Sequence, residues 1–265
     1  MGKIGFIGTG HIATAMIKAL LNSKGYSSES IYVYDIDQEK LQQFQKEYRV
    51  IVTTDNRDLV SQVDMVVLSV RPDVLQSVVE EVKGVVKDQI IISPAAGIES
   101  KELLAWFSKD VKLCRIMPNV GAALSVSMTA YYEQNISQKD HSMITLFLSA
   151  MGQFVRIKEE DFHIFIAMAG SSPAFFAYFI KTMVELGIKK GLKKEEATTM
   201  AAQAMYATSL LLLDNPALID TFVETVASKG GTTEAGVNVL KNDGFDDIVK
   251  QALLATIKRS KSINE

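Results

Sequence analysis

The sequence predicts an α/β fold in two parts: a parallel β-sheet covered on both faces by helices, then an all-helical domain. Three observations carry this. Apolar runs rich in Ile and Val recur at 3–8, 30–34, 63–70, 89–93 and 111–117, with helical charge patterning between them, as at 37–48 and 73–82. Short apolar runs spaced by helices are the pattern of parallel strands buried on both faces. Near residue 162 the strand signals stop, and helical periods follow at about 172–189, 194–213, 216–227, 232–241 and 245–260. A chain of 265 residues has room for two ordinary domains, which the pattern places at 1–161 and 162–265.

The elements follow in order. The first strand runs straight into Gly8-Thr9-Gly10-His11-Ile12-Ala13, which opens a helix. Gly-x-Gly-x-x-Ala between a strand and a helix is the dinucleotide-binding fingerprint of a Rossmann-type domain. The first glycine makes the tight turn, the second lets a pyrophosphate approach the backbone, and Ala13 lets the helix pack on the sheet. Ile7 to Ile12 thus line a cofactor site, with His11 a first-turn residue near the phosphates. The second strand ends at Asp35. A carboxylate there accepts the ribose hydroxyls of NAD and repels the extra phosphate of NADP. Asp37 adds a second charge and no arginine follows Asp35, so NADH is favoured over NADPH. Residues 127–132 add an edge strand and 138–151 a helix. In the second part, Ser171-Ser172-Pro173 reads as a helix start with a capping hydroxyl and a first-turn proline. Met200, Ala201, Ala204 and Met205 line a close-packed helical face that fits contact with another subunit.

Ser228-Lys229-Gly230-Gly231-Thr232-Thr233 opens a later helix. Unpaired N–H groups at a helix start, with glycines that admit a ligand to the backbone, make an anion seat.

Composition narrows the class. A 48% hydrophobic share with 22% charged residues builds a core of ordinary size, and a net charge of −3 without Lys/Arg clusters excludes a nucleic-acid role. The single cysteine, Cys114, sits in an apolar run and excludes an intrachain disulfide. His11, His141 and His163 lack metal-ligand spacing, so no metal is expected. Met1 leads directly into the first strand, which leaves no room for a signal peptide and predicts a cytoplasmic protein. The uncharged runs 164–180 and 197–213 read as buried helices rather than membrane spans, the first broken by Gly170-Ser171-Ser172-Pro173.

Several motifs converge on one family. Gly8-Thr9-Gly10, Ser69-Val70-Arg71-Pro72, Ala95-Ala96-Gly97-Ile98, Arg115-Ile116-Met117-Pro118-Asn119, Ala169-Gly170-Ser171-Ser172-Pro173-Ala174 and Gly230-Gly231-Thr232-Thr233 with Gly236 occur in order. With them the chain resembles the pyrroline-5-carboxylate reductases nearly end to end. The resemblance implies reduction of Δ1-pyrroline-5-carboxylate to L-proline by hydride transfer from NAD(P)H. It implies that the loops at 69–72, 95–97 and 117–119 line the nicotinamide half of the cofactor and that Asn56 contacts its adenosine side. It places the substrate carboxylate on the N–H groups of Gly231, Thr232 and Thr233, with Ser228 and Gly230 in the same seat. The Thr233 hydroxyl falls at the ring nitrogen, as the catalytic residue. It further implies homodimers or rings of dimers, with each active site shared between two subunits. The chain departs from the family at Lys229, where proline is usual, at Gly121, and at Ser172 in a Gly-Ser-Gly-Pro motif. Two other functions are compatible with these residues: a paralogue acting on a related cyclic imino acid, and a cofactor-binding regulatory protein with little turnover. A 3-hydroxyacid dehydrogenase needs a lysine in the interdomain helix, and 168–178 has none.

Overall fold

The Ile/Val runs become strands whose side chains bury alternately into two apolar layers. In the computed structural model, which describes residues 2–108 and 110–262, these are β1 (Ile4–Ile7), β2 (Ile31–Tyr34), β3 (Ile51–Val52), β4 (Met65–Leu68), β5 (Ile90–Ser93), β6 (Lys112–Met117), β7 (Ser127–Gln134) and β8 (Gly152–Arg156). The outermost residues of the two predicted domains, Met1 and 263–265, lie outside the described residues. The sheet order is β3-β2-β1-β4-β5-β6-β7-β8, parallel except that β7 runs antiparallel to β6. The order 3-2-1-4-5-6 is that of a doubly wound dinucleotide-binding sheet, whose crevice lies beyond the carboxyl ends of β1 and β4.

Helices cover both faces. α1 (His11–Asn22), α2 (Gln38–Tyr48) and α6 (Gln138–Met151) pack on one layer, around Phe6, Met16, Leu20 and Phe147. The other layer, around Leu59, Leu68, Val79 and Phe107, takes α3 (Asn56–Gln62), α4 (Pro72–Val82) and α5 (Ser100–Phe107). Capping fixes the starts of α2 and α3: Asp37 accepts from the Lys40 N–H at 3.0 Å, and Asp55 from the Asp58 N–H at 2.8 Å.

Two differences from the predicted sheet have physical causes. Residues 127–134 form an interior strand rather than an edge, because 152–156 pair beside them in parallel and take the edge position. β3 is only two residues long, too short to leave a periodic signal.

The described chain divides into two compact units: residues up to Gly170 together with those from Arg259 on, and Ser171–Lys258. The first unit ends in a helical run. α7 (Phe162–Phe165) leads into a π turn at Ile166–Gly170, and α8 (Ser172–Lys189) follows. A new helix therefore starts at Ser172 with Pro173 in its first turn, as expected, but the expected capping hydroxyl is not found. Ser171 has helical backbone angles and its hydroxyl makes no capping bond. Pro173 lacks an N–H and its ring crowds the carbonyl four residues earlier; the π turn widens the helix at that point.

The second unit contains α8, α9 (Lys194–Asp214), α10 (Phe222–Val226), α11 (Thr232–Asn242) and α12 (Phe245–Lys261), the last ending in the first unit. The predicted helix 216–227 splits into a 3-10 turn at Pro216–Asp220 and α10. Its small core joins Val184, Ala197 and Ala201 with Ile180. Outside that core many large apolar side chains are exposed, among them Phe176, Tyr178, Leu186, Met200, Leu213 and Leu254. The run Glu159–Lys189 is long and apolar enough to cross a membrane by length and composition, and only 17% of its apolar window is buried. It is not the buried helix that its composition predicted.

Candidate active site

The carboxyl ends of β1, β2, β4, β5 and β6 lie along one edge of the sheet, and the loops that leave them gather the predicted cofactor residues there. At the crevice, Gly8 has φ +91, and a Cβ on it would sit 2.8 Å from the Ser69 carbonyl oxygen, so only glycine fits. The Ser69 hydroxyl donates to the Ile7 and Gly8 carbonyls at 3.0 and 2.8 Å and ties the two strand ends together. A Cβ on Gly10 would project into open space. No side chain caps α1 and no acid stands in its first turn. Ala13 is fully buried under the helix. This cradle fits a pyrophosphate on a helix N-terminus. Beside it a groove of about 310 Å³ opens between α1 and α2, lined by Thr9, Gly10, His11, Thr14, Lys40 and Phe44. Ile12 is half-buried, and His11 is exposed.

Asp35 ends β2 but does not stand open. Its Oδ2 accepts from the Thr9 N–H and hydroxyl, both at 2.8 Å, and pairs with Lys40 Nζ at 3.2 Å. Its Oδ1 accepts from the Asp37 N–H at 3.2 Å. Burial alone would raise the carboxyl pKa; the bonds from Thr9, Asp37 and Lys40 outweigh it and hold Asp35 below its ordinary value. The carboxylate is thus ionised and locked to the glycine loop, with a cation beside it. Lys40 was missed in the sequence because its role depends on the first turn of α2 pointing back at β2.

The remaining loops differ in kind. Val70 is half-buried; Arg71 is exposed and paired with Asp73; Pro72 starts α4. Ala95 is buried, and Ala96 and Gly97 are half-buried beside it. Asn56 is buried: its Nδ2 donates to Glu81 at 2.7 Å and its Oδ1 has no partner. Met117 and Asn119 are half-buried and Pro118 is buried. The Asn119 amide accepts from the Gly121 N–H and donates to the Ala169 carbonyl.

In the second unit, Gly230 has φ +74 and turns the chain into α11, which no side chain caps. The expected donors are not all open. The Gly231 N–H donates to the Ser228 carbonyl at 2.9 Å, and the Gly230 N–H to Glu234 Oε2 at 2.7 Å. Both are consumed by the tight turn itself. Thr232 and Thr233, the first two residues of α11, are exposed. Glu234, four residues after Gly230, was not singled out in the sequence; its contact depends on the backward reach of a first-turn side chain.

Comparison with known proteins places the chain in a family. Residues 159–263 match the family model described as pyrroline-5-carboxylate reductase dimerisation, and residues 3–97 match one described as NADP oxidoreductase, coenzyme F420-dependent. Pyrroline-5-carboxylate reductase 2 of Bacillus subtilis (strain 168) is 30% identical, covering 100% of this chain and 96% of the relative. The crystal structure of 1-pyrroline-5-carboxylate reductase from Streptococcus pyogenes is 31% identical with a TM-score of 0.87, covering 98% of each chain. Plasmodium falciparum pyrroline carboxylate reductase, solved with NADP bound, shares the fold at a TM-score of 0.89 and 23% identity, over 100% of this chain and 98% of its own. A likeness that runs from the glycine loop through the helical domain, at this identity, identifies the chain as a member of the pyrroline-5-carboxylate reductase family.

Proposed function

We propose that the protein reduces Δ1-pyrroline-5-carboxylate to L-proline with NAD(P)H. The observation that carries this is the full-length likeness to pyrroline-5-carboxylate reductases, in a chain that keeps both helix-start anion cradles, one at Gly8–Gly10 and one at Gly230–Thr233. The bound nicotinamide supplies the hydride, which ends on C5 of the imine, so the chain needs no nucleophile. What the residues supply is orientation, worth several kcal/mol when two reactants are held in a near-attack pose. The Thr232 and Thr233 N–H groups hold the substrate carboxylate. The Thr233 hydroxyl hydrogen-bonds the ring nitrogen and helps deliver its proton. Ser228, Gly230 and Gly231 shape the turn beneath them. Ser69 to Pro72, Ala95 to Gly97, and Met117 with Pro118 border the nicotinamide, and Asn56 borders the adenosine. Asp35 selects NADH, with its charge partly offset by Lys40.

Large apolar side chains stand exposed over the helical unit, and they favour burial against a second copy of the chain. In such a dimer, or a ring of dimers, one subunit presents the cofactor and its partner the carboxylate seat. The reaction belongs to the cytoplasm, and no membrane or nucleic acid takes part.

The test is a steady-state panel: pyrroline-5-carboxylate and its six-membered homologue, each with NADH and NADPH. The expected result is higher kcat/KM for the five-membered ring and for NADH. Preference for the larger ring would move the protein to a related imino acid, and preference for NADPH would remove Asp35 from cofactor selection.

A further inference from the structure

Besides the bond its backbone carbonyl accepts from the Ala122 N–H at 3.1 Å, Asn119 makes three hydrogen bonds, all to the protein itself. Its N–H donates to Ser127 Oγ at 3.0 Å, its Oδ1 accepts from the Gly121 N–H at 2.9 Å, and its Nδ2 donates to the Ala169 carbonyl at 3.0 Å. These bonds also fix the amide orientation, since a flipped side chain would set oxygen against oxygen at Ala169 and N–H against N–H at Gly121.

The third bond has a specific cause. Ala169 lies in the π turn, four residues before Pro173. In a regular helix its carbonyl would accept from the N–H of residue 173, and proline has none. The next N–H along, at Ala174, is turned to the Ser171 carbonyl at 3.0 Å. Ala169 is half-buried and packed against the cluster around Phe162 and Phe165. An unpaired polar group there is costly. The Asn119 amide stands in for the missing N–H from outside the helix.

We propose that Asn119 is a positioning residue. It pins the loop Met117–Asn119, at the carboxyl edge of the sheet, to the π turn, and holds Met117 and Pro118 in place without binding the cofactor through its own amide. The proposal rests on the reductase reading for its kinetic consequence and on the hydrogen-bond geometry for the tie itself. Asn119 and Pro173 are thus coupled: one residue exists to compensate the other, and removing the proline restores a backbone donor to Ala169.

The experiment is a double-mutant cycle on the full chain with Asn119→Ala, Pro173→Ala and the pair, reading kcat, KM for both substrates, and thermal midpoint. Asn119→Ala should lower kcat by roughly 10-fold or more, since small misplacements at a reacting centre are amplified, while the KM for the nicotinamide changes little. In the Pro173→Ala background the same change should shrink to about 3-fold or less. Equal losses in both backgrounds, or a raised nicotinamide KM with kcat unchanged, would overturn the proposal. If Asn119→Ala alone fails to fold, recovery of folding in the double variant supports the coupling, and failure of both opposes it. If the wild type turns over no pyrroline-5-carboxylate, the reductase reading fails, and the thermal midpoints of the cycle still report whether the two residues are coupled.

Discussion

Thr233 bears the proton-handling role of the proposed mechanism on a single hydroxyl. It is exposed at the second position of α11, a helix that no side chain caps. Thr233→Ala should lower kcat by roughly 10- to 100-fold, the order expected for losing one positioned proton donor. Cofactor affinity, measured by fluorescence titration, should stay near normal, because the glycine loop and Asp35 are untouched. An unchanged rate would remove Thr233 from the mechanism. At this scale some residues were legible in sequence and others were not. Gly8 could be read because a strand, a tight turn and a helix leave one residue type that fits at φ +91. The occupation of Asp35 by Thr9 and Lys40, and of the Gly230 N–H by Glu234, could not, since each depends on where a side chain turns back.

Among elements, the start of the long helical run is held by a charged clasp. Glu159 accepts from the Ser100 N–H at 2.7 Å and its hydroxyl at 2.5 Å, and pairs with Arg115, whose guanidinium lies 4.8 Å over the Phe162 ring. Burial alone would raise the Glu159 carboxyl pKa; the Ser100 bonds and Arg115 outweigh it and hold it below the ordinary 4.5. A carboxyl with a depressed folded pKa contributes stability that is complete above about pH 4.5 and lost as pH falls through the folded value. Glu159→Ala strands a buried Arg115 and should cost roughly 3 kcal/mol in denaturant unfolding at neutral pH. The loss should fade as the wild type is acidified below pH 4.5. A variant as stable as the wild type at neutral pH would show that the clasp adds nothing. Neither partner announces this contact in sequence, 44 residues apart. The strands that escaped the sequence were also marginal: β3 spans two residues, and most of β8 is exposed on the sheet edge, so it lacks a clear apolar alternation. The long strands and helices, whose apolar periodicity is set by burial on both faces, fell close to their expected limits.

For the whole molecule, the helical unit poses the physical problem. Its own core is small, and residues such as Tyr178, Leu186, Leu213 and Leu254 face outward. Sequence periodicity marks such faces as apolar but does not say whether this chain or another covers them. Burial against a second copy would remove that surface from water, at roughly 25 cal/mol for each Å² of apolar area. Sedimentation equilibrium of the full chain should return a multiple of the monomer mass at micromolar concentration, and Leu186→Glu should shift it toward monomer with loss of activity. A monomeric, fully active wild type would contradict a shared active site.

The most direct measurement is a product balance: purified protein, Δ1-pyrroline-5-carboxylate and NADH or NADPH, with nicotinamide oxidation followed by absorbance and L-proline quantified by chiral chromatography. The expected result is one L-proline formed for each nicotinamide oxidised, with turnover dependent on protein. Cofactor binding without nicotinamide oxidation, or oxidation without L-proline, would contradict the reductase.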